Sequence, residues 1–179
     1  MRSIPGIEVG TAAVQGIRAA VVGVGLHRSR SDVPDTLQLG PMHLYDELIT
    51  ESGLREVSRS LFEDGHFARA VEEAYKFLNN EVKRRAGSNK DGPDLMHHAF
   101  SEEKPLLKLN ALRSTSERDE QAGYRFMFAG SMSGVRNPRA HEHDLRDRRD
   151  AALELLVAAN HLLRILGKAK RARPRRGGA

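Results

Sequence analysis

The segment from Phe67 to Val82 limits what this chain can fold into more than any other. Phe67, Ala70, Val71, Ala74, Phe77, Leu78 and Val82 recur at intervals of 3, 1, 3, 3, 1 and 4 residues. That places them on one face of an α-helix of about five turns. Asp64-Gly65 breaks the chain before it. Lys83, Arg84 and Arg85 fall in its last turn, where cations complement the helix dipole, and Gly87 suits the left-handed closing residue. A helix this long and this one-sided must bury its stripe against other apolar elements.

Suitable partners are present. Ala152, Leu155, Leu156, Ala159, Leu162, Leu163 and Leu166 form a second stripe on a helix expected from about Arg148 to Lys168. Leu54, Val57, Leu61 and Phe62 mark a shorter helix. Pro41 and Pro93 suit first helical positions, ahead of His43 to Ile49 and Asp94 to Phe100. Ser114 and Glu117 have the spacing of a capping box, opening a helix that runs to about Val135 with Ala122, Phe126, Ala129 and Met132 on its inner face. The small residues Gly123, Gly130, Ser131, Ser133 and Gly134 imply tight packing of that helix inside the bundle. Lys104 to Leu109 is a brief apolar segment of no assigned type. No strand period within residues 41–168 competes with these helices. The expected fold is all-α, a bundle of about four main helices with short accessory helices.

Three regions follow. Residues 1–40 are expected to be a loosely ordered N-terminal extension, with a short strand or helix near residues 19–24. Residues 41–168 form the helical domain. Residues 169–179 are expected to be a flexible basic tail. The pI near 9.8 comes from that end: Lys168, Lys170, Arg171, Arg173, Arg175 and Arg176 occur with no acid between Lys168 and Ala179. Without those six, 23 basic residues stand against 24 acidic ones. Nucleic-acid affinity therefore has to come from the tail or from a local site, not from the body as a whole. The longest apolar run, Ala19 to Gly25, is too short to span a membrane, and no secretory leader is expected. The absence of cysteine excludes disulfides and thiolate chemistry and fits a cytoplasmic setting.

Chemistry concentrates in Arg136-Asn137-Pro138-Arg139-Ala140-His141. A guanidinium is permanently charged and forked, which suits a phosphate, and an imidazole moves protons near neutral pH. Asn137 and Pro138 read as the cap and first residue of a new turn, with the preceding helix ending near Gly134 or Val135. On one unbroken helix Arg136 and His141 would lie about 140° apart. A break, or a second copy of the chain, must make them converge.

Other clusters carry less. His141, His143, His97 and His98 do not share a helical face in a way that fixes three metal ligands, so no metal or other cofactor is expected. Glu72-Glu73 and Glu102-Glu103 read as solvated faces, and His66 as a structural residue at a helix start.

The runs Ser58 to Ala74, Asp94-Leu95-Met96, Pro105-Leu106, Ser116 to Gln121 and Gly134 to Glu142 come in the order expected of the Ymh-like family of bacterial and phage-related proteins. The chain resembles that family over roughly residues 50–168, and the family looks like a branch of the HEPN superfamily. The resemblance implies a HEPN-like bundle and a metal-independent endoribonuclease of the toxin–antitoxin or antiviral-defence type. Arg136, Asn137 and His141 take the catalytic positions of its arginine–polar–histidine motif. Two motifs meeting at a homodimer interface are implied, with RNA as substrate and a protein inhibitor or antitoxin as partner. In that chemistry the RNA 2′-hydroxyl is the nucleophile, His141 moves its proton, and Arg136 stabilises phosphoryl charge. Asn137 either orients the site or only caps the helix. Arg139, Lys168, Lys170, Arg171, Arg173, Arg175 and Arg176 are the expected RNA contacts. The alternative is a catalytically inactive helical interaction or RNA-binding module.

Overall fold

The computed structural model describes residues 41–142 and 144–172. The N-terminal extension of residues 1–40, with the short element expected near residues 19–24, lies outside them. So do His143 and residues 173–179, including Arg173, Arg175 and Arg176.

Among the described residues the chain is mainly helical. Helix α1 is Pro41–Leu48, α2 Ser52–Glu63, α3 Phe67–Ala86 and α4 Gly92–Ala99. A two-residue strand β1, Leu107–Lys108, precedes α5, Thr115–Ser131. Helix α5 runs into a π-helical turn, Met132–Arg136, and then α6, Asn137–His141. Helix α7 is Arg149–Lys168, followed by β2, Lys170–Arg171. The four longer helices α2, α3, α5 and α7 are the main ones, and the all-α reading stands.

Helix α3 occupies the centre, packed against α2, α7, α4 and the π-turn, while α5 packs on α4. Its stripe is buried as the period requires, with Ala70, Val71, Ala74, Leu78 and Val82 inaccessible. Each large apolar side chain held there stabilises the fold by about 1.5–3 kcal/mol. Tyr45, Phe62 and Phe67 pack in sequence, the first pair tilted and the second edge to face, with centroids 5.1 and 5.2 Å apart. Phe100 lies flat on Phe128 at 4.5 Å. Gly87 closes α3 at φ 62°, and a Cβ there would come within 2.6 Å of the Arg171 guanidinium. The backbone angle strains other residues there, and the Arg171 guanidinium would have to shift to admit a side chain.

Buried polar groups lock the elements together. The Tyr45 hydroxyl lies 2.8 Å from Ser58 Oγ, and Ser58 donates to the Leu54 carbonyl. Asn160 of α7 accepts from the backbone amides of Thr50 and Glu51, both at 2.9 Å, satisfying donors at the start of α2. Gln121 donates to the carbonyls of Phe100 and Leu107 and accepts from Leu109 N, fastening β1 to α5. Tyr75 donates to the Leu155 carbonyl, and burial pushes its phenol up to about 12.

Several expectations need correction. Phe126 is exposed, and the inner face of α5 carries Gln121, Phe128 and Ala129, continued by Met132 of the π-turn. A buried glutamine at the head of the stripe hid its true phase, because an apolar period skips a polar residue that is buried through hydrogen bonds. The glycines 123, 130 and 134 are not packed within the bundle: a Cβ on any of them would meet no atom within 4 Å. Glu72 is buried rather than solvated, paired with Arg69 at 3.1 Å and Lys76 at 2.7 Å. The chain does not fray at Ala169. Lys170 and Arg171 pair with Lys108 and Leu107 in an antiparallel ladder, and Ala172 N donates to the Leu106 carbonyl at 2.8 Å. Main-chain hydrogen bonds serve charged residues as well as any, and a two-residue strand has no period to read.

Candidate functional site

The capping box forms as its spacing predicts. Ser114 Oγ accepts from Glu117 N at 3.1 Å, and the Glu117 carboxylate accepts from Ser114 N. It opens α5, which leads through the π-turn into the segment that carries the motif. That helix does not end at Gly134 or Val135. Asn137 N donates to the Met132 carbonyl, the i→i−5 bond of a π-turn, and the chain passes on into α6. Pro138 explains the turn: its ring has no N–H to donate and would strike a carbonyl one turn back in a regular helix. Widening the turn moves that carbonyl away.

Asn137 consequently sits in the right-handed helical region, at φ −63° and ψ −45°. It is not an N-cap. Its side-chain oxygen instead accepts from Arg136 Nη1 at 3.2 Å. The pre-proline bias away from helix is overridden by the continuous backbone on either side.

Arg136 is half-buried at the end of the π-turn. Beyond Asn137, its Nη2 lies 3.8 Å from Asp91 Oδ2. Its Nε is buried and has no hydrogen-bond partner among the described residues. Each Nη carries two protons, so donors remain on the fork after these contacts. His141 is the last residue of α6 and is exposed. From Arg136 to His141 the backbone is helical without a break, so the separation of about 140° stands. Arg136 and His141 therefore leave the helix on different sides.

Arg139 belongs elsewhere. Its Nε and Nη2 donate to the two oxygens of Asp147, each at 2.7 Å, and Nη1 donates to the Val135 carbonyl at 2.9 Å. Both side chains of the pair are almost wholly buried. The guanidinium expected to contact RNA is thus the clamp that ties the loop before α7 to the motif helix. Lys168, Lys170 and Arg171 are exposed. Beside them a groove of about 820 Å³ is lined by Lys104, Leu106, Lys108, Leu112 and Arg171. None of the motif residues lines it.

The outer face of the motif helix carries Gly123, Phe126, Met127, Gly130, Ser133 and Gly134, all exposed, at intervals of 3, 1, 3, 3 and 1. Phe126 is 60% and Met127 52% exposed. The stripe holds no charge and was not legible as a surface, because its aromatic residue resembles a core position. Among the described residues no group of three His, Asp or Glu side chains is arranged to hold a metal ion. None of the described helices is long and apolar enough to cross a membrane.

Fold and site together define an α-helical bundle with an arginine–asparagine–histidine motif on a proline-containing helix interrupted by a π-turn. The chain belongs to the Hypoth_ymh family of proteins of unknown function, whose family model matches residues 50–166. No curated protein and no solved structure matches it.

Proposed function

We propose that this chain is a metal-independent endoribonuclease of the HEPN type that works as a homodimer, with Arg136, Asn137 and His141 of both copies sharing one cleft. The observation that carries this reading is the unbroken helix from Arg136 to His141. It offers no break that would let one chain converge the pair, which supports a second copy supplying the convergence. The exposed uncharged stripe on the same helix supports that route. A twofold interface is made of one patch meeting itself, and the glycines in the stripe let two backbones come close.

The chemistry follows from the groups available. RNA carries its own nucleophile, the 2′-hydroxyl next to the scissile phosphate. His141 of one copy takes the 2′-hydroxyl proton, and its twofold mate gives a proton to the departing 5′-oxygen. Arg136, with donors left on its fork, stabilises the phosphoryl oxygens as charge builds on them. Asn137, held by Arg136 rather than capping a helix, orients the guanidinium. Lys168, Lys170, Arg171 and the basic residues beyond them draw the RNA backbone in, whereas Arg139 is structural. A ribonuclease of this kind acts as a toxin or defence effector restrained by a protein inhibitor.

Purified protein in excess chelator is expected to cut single-stranded RNA and leave 2′,3′-cyclic phosphate ends. Loss of all cleavage in chelator, 5′-phosphate products, or efficient cutting of an all-deoxy strand would each refute the mechanism.

A further inference from the structure

Asp91 occupies the N-cap of α4 with extended backbone, at φ −142° and ψ 161°. Aspartate is among the best capping residues. Here its side chain makes no capping bond. Asn79, buried on α3, serves the helix start instead, its Oδ1 accepting from Gly92 N at 3.0 Å. The amide end of Asn79 donates to Asp91 Oδ1. One carboxylate oxygen is thereby fixed by a buried group, and the other lies 3.8 Å from Arg136 Nη2.

We infer that Asp91, held by Asn79, is a positioning residue for Arg136. Asp91 is 52% exposed on its side chain, and an ion pair that open contributes little to stability. Capping does not explain it either, since it does not cap. It sets a negative charge 3.8 Å from one arm of a long, flexible side chain. The other arm is held by Asn137 at 3.2 Å. A guanidinium hydrogen-bonded through one terminal nitrogen and facing a carboxylate 3.8 Å from the other has its range of orientations narrowed. That narrowing favours meeting two oxygens of a phosphoryl group. The role in catalysis rests on the ribonuclease reading; the tether itself does not.

The test uses the full chain and three variants, Asp91→Asn, Arg136→Ala and the double substitution. Asp91→Asn keeps the acceptor for Asn79 and replaces the carboxylate oxygen facing Arg136 with an amide. Melting should not change. Arginine side-chain NMR should show slow rotation of the Arg136 guanidinium in the parent chain and fast rotation in Asp91→Asn. RNA cleavage in chelator should lose kcat, by up to about 100-fold, with KM unchanged. Adding Asp91→Asn to Arg136→Ala should cost nothing more. Unchanged rotation in Asp91→Asn overturns the inference. So does a freed guanidinium with kcat intact, or a further loss in the double variant. If the parent chain cuts no RNA, the ribonuclease reading falls and the rotation measurement alone decides the tether.

Discussion

Arg139 and Asp147 are joined fork to fork by two parallel hydrogen bonds of 2.7 Å, with side chains only 9% and 11% exposed. This pair anchors the turn before α7 to the helix that carries the motif. Removing one partner leaves a buried charge without a counterpart. Asp147→Ala and Arg139→Ala are each expected to destabilise the fold by about 3–5 kcal/mol. The double substitution should cost less than the sum of the two, because the second change removes the stranded charge. Urea unfolding of the four proteins measures this. A surface role for Arg139 predicts no loss.

His141→Ala should lower RNA cleavage by about 10²–10⁴ through loss of a proton carrier. Arg136→Ala should lower it by about 10²–10³ through loss of transition-state charge stabilisation. His141 is exposed, so its variant should melt with the parent. Cleavage kinetics in chelator and thermal melts, taken together, separate a chemical loss from an unfolded one. Unchanged cleavage with unchanged melts would remove both residues from the site.

Phe126 lies in the middle of the uncharged stripe and reaches solvent in the single chain. If two copies meet there, Phe126→Asp puts two carboxylates at a twofold contact. The parent protein should sediment at about twice the 19.9 kDa chain mass, and Phe126→Asp at the mass of one chain, with cleavage lost. A parent that is monomeric while cutting RNA would refute the shared site.

Pro138 accounts for the π-turn that sets the direction of Arg136. Pro138→Ala restores a backbone donor and removes the ring, so a regular helix becomes accessible. Stability should not fall. Cleavage should, because a change from a π to an α turn rotates Arg136 relative to Asp91. Amide exchange at Asn137 and the cleavage rate report the two effects separately.

The basic end is held as far as Ala172. Residues up to that point are fixed by the β1–β2 ladder, so a truncation meant to spare the fold belongs after Ala172. It removes Arg173, Arg175 and Arg176. Binding of a non-cleavable 2′-O-methyl RNA should weaken at low salt, and the slope of log K against log salt should flatten by about 2. The positions cut in RNA should persist. Loss of cleavage at saturating RNA would place the tail in the active site.

The helices, their caps at Ser114 and Gly87 and the motif residues were legible in the amino-acid order. A period of 3.6, a capping box and a left-handed glycine are local properties, fixed by residues a few positions apart. The sequence alone left open whether a break separates Arg136 from His141, and the structure carries the helix through both. Tertiary structure decided the rest. Phe126 and Phe128 are the same residue type two positions apart, and only the neighbours of α5 determine that Phe128 is buried and Phe126 is not. Arg139 could have faced RNA or Asp147, and the path of the loop before α7 chose Asp147. Asn79, Asp91 and Arg136 come from three separate segments, and no spacing in the chain announces that they meet. Periodicity records which residues share a face, whereas long-range packing records what that face touches.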